Sequence, residues 1–397
     1  MGNINKILYI NLLILITQFT FCAKNGLVIA PVADLVGQPL GCSDQSYQQL
    51  PWAARGSDYA ACPRVHQLLF NETLEIIEKR GDEIKVRVPN LFYQTTKSNT
   101  PQTDYWTLAA NIRDLDAITK KECAKIPAPI SFKKPIQPNT QPIATLISPY
   151  YDRKTKMSFS AGTRFVCTPR AEKKARVAVY RFNPNRGVHE TVSLPKNLLY
   201  QSSSAEPDQQ RANFVHILQQ WAHTPGTIPY VWGGCSFTEA HRSNQFTAIS
   251  TKKGGYYTRP ERKKIIPKTG FDCAGIIVRA AQIVGLPYFL KNSYTIARNL
   301  PLLQANEHLQ AGDIIWIPGH VIVVSDIKNN LVVEAHAYGS GYGKVHELSI
   351  SRIFKDIQTF EDLETAFRAQ TTLHRLNSNG KVFATYQQFK LLTLAHL

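Results

Sequence analysis

Thr269-Gly270-Phe271-Asp272-Cys273-Ala274-Gly275-Ile276-Ile277-Val278-Arg279-Ala280-Ala281 runs from a glycine turn through an acidic residue into an apolar helical stretch. Asp272 is a suitable N-cap, which predicts a helix over about 273–285 and puts Cys273 in its first turn. There, unpaired amides and the helix dipole favour a thiolate, so Cys273 is the candidate nucleophile. A buried structural cysteine is the alternative that residue type alone allows. A nucleophilic cysteine needs a base beside it in space, and no histidine lies close in sequence. His320 follows Ala311-Gly312-Asp313-Ile314-Ile315-Trp316-Ile317-Pro318-Gly319 and opens the apolar strand Val321-Ile322-Val323-Val324. The next strand, Leu331-Val332-Val333-Glu334-Ala335-His336, carries two polar residues two positions apart and therefore on one face. Either Glu334 or His336 can hold the other nitrogen of the base.

Working outward, Phe214, Val215, Leu218, Trp221 and Ala222 recur at helical spacing, so residues 208–223 read as an amphipathic helix stopped by Pro225 and Gly226. Strands are predicted near 313–317, 320–327 and 331–336. Helices first and an antiparallel sheet after give an α+β unit over 206–376. Upstream, residues 25–126 read as all-β, with the runs Leu27-Val28-Ile29-Ala30 and His66-Gln67-Leu68-Leu69-Phe70. Arg80-Gly81-Asp82 there joins the strands 73–79 and 83–88. A small barrel is the expectation. Five prolines between 127 and 142 mark a linker. Residues 143–205 read as a second small barrel, with strands at 163–167 and 176–182 and a turn at Asn183-Pro184-Asn185. Residues 377–397 carry no sign of their role.

The 397-residue chain is long enough for two or three domains, and 43% apolar against 19% charged residues is ordinary globular composition. Residues 1–24 read as an export signal, with Lys6 as the basic flank and an apolar stretch over Ile7–Ile16 too short to span a bilayer. Cleavage near Cys22 or Ala23 is expected, with lipid anchoring at Cys22 as the alternative. A periplasmic or extracellular protein follows. Export permits a disulfide, for which Cys42 and Cys62 are the nearest candidates, although free buried thiols fit equally. No CxxC or HExxH pattern occurs, so no zinc mechanism and no cofactor is implied. The net charge of +17 favours anionic partners. Export and the absence of a nucleic-acid motif argue against nucleic acid and toward a carboxylate- and phosphate-bearing wall polymer.

Pro229-Tyr230-Val231-Trp232-Gly233-Gly234, Asp272-Cys273-Ala274-Gly275, Gly312-Asp313, His320-Val321 and Glu334-Ala335, in that order, resemble the motif set of the NlpC/P60 cysteine peptidases. The resemblance covers roughly 208–350 and implies a papain-like arrangement with Cys273 as nucleophile, His320 as base and Glu334 as orienting residue, His336 remaining the alternative. It further implies that the Tyr230 hydroxyl helps stabilise an oxyanion. The two upstream units resemble bacterial SH3-like modules, and the whole is similar to γ-D-glutamyl-diamino acid dipeptidyl-peptidases. That likeness implies peptidoglycan peptides as partners, with Asp272, Glu72 and Tyr105 binding the free amino terminus of L-Ala-γ-D-Glu. Ala274 departs from the pattern, standing where relatives carry a serine that helps bind the amine. An insertion over 235–269 also departs from it, with eight Lys or Arg within 241–268 against Glu261. A solvated loop is one reading of this insertion and a wall-contacting or gating loop the other.

Overall fold

The computed structural model describes residues 24–41, 47, 48, 50, 63–95, 100–130, 142–173, 175–201, 206–240, 246–250, 256–260 and 267–394. Residues 1–23 of the expected signal, most of the proline-rich linker, and Cys42 and Cys62 lie outside the described residues.

In the first β-unit, Thr73–Arg80 pairs with Glu83–Arg87 across Gly81-Asp82, with Arg80 opposite Glu83. Gly81 takes φ 59°, which a side-chain-bearing residue adopts at a cost. These strands belong to a seven-stranded sheet. Its edge-to-edge order is Arg64–Leu69, Val32–Val36, Asp104–Leu108, Glu83–Arg87, Thr73–Arg80, Lys24–Val28 and Ile112–Asp114. Where a barrel is expected, no pairing among the described residues joins the two edge strands. Instead the Arg64–Leu69 edge is covered by the third unit, every one of its residues being buried. Gln67 Oε1 accepts from the Cys235 amide at 3.0 Å and the Ser236 hydroxyl at 2.6 Å, and Arg64 donates to the Trp232 carbonyl at 3.1 Å. An edge satisfied by a neighbour has no need to close on itself. The second β-unit is a five-stranded sheet whose edges are likewise not joined by any pairing among the described residues, in the order Val188–Pro195, Arg176–Asn183, Arg164–Lys173, Ile143–Leu146 and Leu199–Gln201.

The third unit has the α+β build expected. A five-stranded antiparallel sheet runs Lys344–Ser349, Leu331–His336, His320–Asp326, Ile314–Ile317 and Lys390–Leu392. One face packs on the helices Pro207–Ala222 and Cys273–Val284, burying Val321, Val323, Val333 and Ala335 against Phe214, Leu218, Ile276 and Ile277. The opposite face packs on the helix Phe360–Arg368 through Ile315, Ile322, Val324 and Val332. Cover on both faces explains why these strands are unbroken apolar runs rather than alternating ones. Residues past 376, without a role in the sequence, complete the unit. Val382–Tyr386 pairs with Leu373–Leu376, and Lys390–Leu392 forms the edge beside Ile314–Ile317. Within the basic insertion, Phe246–Ser250 and Tyr256–Pro260 pair antiparallel and lie against the turn Tyr338–Ser340 that follows His336.

Candidate active site

Cys273 is the first residue of its helix. The Asp272 side chain caps it by accepting from the Gly275 amide at 2.5 Å, and Gly285, at φ 84°, ends it. A side chain at position 275 would run into the Gly234 carbonyl, so the glycine after Ala274 lets the helix start meet the Gly233-Gly234 turn. Cys273 packs in one core cluster with Val321, and its helix lies against the His320–Asp326 strand, which brings the start of that strand beside the candidate nucleophile. Burial pushes its thiol up to about 12, with Asp272 adding to the rise and the Val321 amide, Lys291 and the Ala274 amide opposing it. Desolvation thus opposes the thiolate that a helix start favours.

His320 opens its strand because Pro318-Gly319 makes the tight turn that sets Ile317 opposite it, with Gly319 at φ 82°. Its Nε2 lies 2.6 Å from Glu334 Oε2. His336 does not take that place: its ring stands beside that of His320, 4.6 Å between centroids. The pairing of Val323 with Val333 and Val324 with Val332, carried along the ladder, sets His336 directly across from His320 and Glu334 on the diagonal. The diagonal position reaches the far nitrogen. Burial lowers the pKa of His320, opposed by its hydrogen bond and charge contact with Glu334, while Arg375 and His346 lower it further.

Glu334 is almost wholly buried. Oε1 also accepts from His346 Nε2 at 2.9 Å, and Arg375 Nη2 lies 2.6 and 2.7 Å from the two oxygens. Burial raises its carboxyl, but Arg375, His336, His320 and His346 together hold it well below the ordinary carboxylate range. Two histidines and a carboxylate are a donor set suited to a divalent metal. Here, however, the guanidinium already spans both oxygens, and among the described residues no group of three His, Cys, Asp or Glu is placed to hold an ion.

Asp272 has a partner the sequence did not indicate. Lys291, itself buried, lies 2.6 and 2.7 Å from its two oxygens. Tyr230 is buried in the core cluster that contains Cys273, its ring perpendicular to Tyr338 and its carbonyl accepting from the Tyr338 hydroxyl at 2.9 Å. The structure does not bring Glu72 or Tyr105 to this centre. Glu72 Oε1 is 2.6 Å from Nη1 of Arg279, six residues along the helix from Cys273 or about 9 Å of rise. Tyr105 is fully buried in the core of the first β-unit, its hydroxyl on the Gln102 carbonyl at 2.5 Å.

The sequence reading names Cys273, His320 and Glu334, of which the structure joins His320 to Glu334 and sets Cys273 in one core cluster with the strand that His320 opens; it does not indicate Lys291, His346 or Arg375. Lys291 has a signal, a lone charge ending the apolar run Leu286–Leu290. Arg375 has none, because its contact with Glu334 bridges two sheets and 41 residues.

No protein family's model matches the chain, and no curated protein matches it. Among solved structures, an NlpC/P60 family protein from Bacillus cereus aligns over 85% of this chain and 96% of its own at TM-score 0.52 and 16% identity. NlpC2 from Trichomonas vaginalis aligns over 83% and 94% at TM-score 0.31 and 11% identity. The peptidoglycan hydrolase RipB from Mycobacterium tuberculosis aligns over 37% and 63% at TM-score 0.23 and 22% identity. The first shows a shared fold over 85% of this chain.

Proposed function

We propose that the chain is an exported cysteine peptidase of the NlpC/P60 type acting on peptidoglycan peptides at the bond between γ-D-Glu and a diamino acid. The observation that carries this reading is a buried cysteine at a helix start, abutting a strand whose first residue is a histidine held by a buried carboxylate. Glu334 accepts the Nε2–H of neutral His320, which leaves the Nδ1 lone pair as the base. Cys273 gives its proton to that nitrogen as its sulfur attacks the γ-carbonyl carbon, avoiding a free thiolate in a site where burial disfavours one. The tetrahedral oxyanion is received by the Cys273 amide and the Tyr230 hydroxyl. Its collapse breaks the C–N bond, His320 protonates the departing amine, and water deprotonated by His320 then hydrolyses the thioester. The two β-units are read as SH3-like modules, and the net charge of +17 draws in an anionic polymer.

A second reading concerns the substrate's amino terminus. Asp272 was the carboxylate expected to bind a free L-Ala ammonium, yet both its oxygens face Lys291. That occupation favours an endopeptidase accepting stem peptides still acylated at the amino terminus, as in intact wall. The test of the activity is purified protein mixed with defined muropeptides and products weighed by mass spectrometry. Cys273→Ala is expected to fold and to lose hydrolysis by at least about a thousandfold; a variant cutting at the parental rate would sink the mechanism.

A further inference from the structure

Arg375 is fully buried, and its contact is with Glu334, Nη2 spanning the two oxygens at 2.6 and 2.7 Å. Its Nε and Nη1 are buried without hydrogen-bond partners, and its guanidinium carbon stands 5.5 Å from the centre of the Phe354 ring. A charge so placed is costly to desolvate unless it is paired, and Glu334 is the carboxylate the structure pairs it with. It comes from Leu373–Leu376, in a three-stranded sheet separate from the one that carries His320 and Glu334. On the other side, Glu334 receives His320 and His346. We infer that Arg375 is a positioning residue, clamping both oxygens of Glu334 and through that carboxylate fixing the ring of His320 for its work on Cys273.

This inference rests on His320 being the base for Cys273. Around Glu334 stand His320, His346 and Arg375 from neighbouring strands and His336 from its own. Tyr342 lies close enough that Glu334, after burial, raises its hydroxyl. Removing Arg375 leaves the carboxylate uncompensated by a permanent cation, so the Glu334–His320 pair binds a proton more tightly. His320 then becomes neutral, and able to act as base, only at higher pH.

The experiment is carried out on the full chain carrying Arg375→Met or Arg375→Lys, with folding checked by thermal melting. In a Cys273→Ala background, NMR titration of the His320 ring reads the inference without needing turnover. The midpoint should rise by about one pH unit or more in Arg375→Met and fall back most of the way in Arg375→Lys, which restores charge but not the planar fork. In the catalytic background, Arg375→Met should lower kcat on muropeptides about a hundredfold with KM changed less than about threefold, and the acid limb should move up with the NMR midpoint. An unmoved His320 midpoint in folded Arg375→Met, or a lowered one, overturns the inference. So does a purely thermal loss with kcat and pH profile unchanged. Absence of turnover in the parental chain would refute the peptidase reading alone, since the titration would still answer for Arg375. If Arg375→Met does not fold, Arg375→Lys decides on turnover: with the charge kept and the fork lost, kcat should fall at least about tenfold while the His320 midpoint stays near the parental value, and a parental kcat overturns the inference.

Discussion

Glu334 and His336 differ by two positions on one strand, and chain spacing alone leaves both as partners for His320. The ladder register separates them, because the residue directly across meets the ring side by side while the residue on the diagonal meets its far nitrogen. Glu334→Ala is therefore expected to lower kcat by about a hundredfold or more and His336→Ala by less than about tenfold, measured on the same muropeptide. The reverse ranking would move the orienting role to His336. Acid behaviour follows from the same cluster. His320 acts as base only when neutral, and its pKa is lowered chiefly by burial, so activity should persist below the ordinary histidine value of 6.5 and fail as pH drops through the lower one. Glu334, held well below 4.5, contributes stability above the unfolded carboxylate value and loses it only as pH falls through its own. The kcat/KM profile should thus hold at pH 6.5 and decline only beneath it; a half-maximum at or above pH 6.5 would show that burial does not govern His320. The helix-start argument places Cys273 at the head of its helix, where the structure has it, but says nothing of the burial that opposes a thiolate there. A capping pattern reports the local dipole and not the depth of burial, which is fixed by strands distant in the chain.

At the scale of elements, helices and strands with strong period or a marked stop were legible. Pro207–Ala222 and Cys273–Val284 lie within a residue or so of their expected spans, because a proline, an aspartate cap and a glycine terminate them for local reasons. Ile314–Ile317, His320–Asp326 and Leu331–His336 were legible as runs of apolar residues closed by turns. The barrels were not, because closure depends on whether an edge finds its own far strand or a neighbour, and Gln67 finds Cys235 and Ser236. The last strand was missed for a related reason: Lys390–Leu392 is short, and nothing within it signals that Ile314–Ile317 lacks a partner on that side. Its weight is testable. Leu391 is fully buried between that sheet and the Phe360–Arg368 helix, so Leu391→Ala should cost about 2–5 kcal/mol of unfolding free energy in denaturant titrations. A cost under about 0.5 kcal/mol would mean that the edge is dispensable.

Across the whole molecule, buried cations join the units and close off two carboxylates expected to recognise substrate. Arg279 ties the helix Cys273–Val284 to the first β-unit through Glu72 and the Gln67 carbonyl, at 2.6 and 2.9 Å. Lys291, on a short strand paired in parallel with Phe92–Tyr93 of that same unit, brings its ammonium to Asp272. The first β-unit thus helps deliver an internal cation to the carboxylate where a free substrate amine was expected. If Lys291 already fills that place, an amino terminus bearing an acyl group forfeits nothing there. L-Ala-γ-D-Glu-diamino acid and its N-acetylated form should then be cut with kcat/KM values within about threefold of each other. Recognition of an ammonium by a buried carboxylate would instead give about 2 kcal/mol or more, roughly a thirtyfold preference for the free amine. Lys291→Met supplies the second arm. With the internal ammonium gone, Asp272 keeps only its Gly275 amide contact, and a preference for the free peptide of about tenfold or more should emerge. A parental chain that already prefers the free amine thirtyfold, with Lys291→Met unchanged in that preference, would return the protein to the dipeptidyl-peptidase class and place its amine recognition away from Asp272.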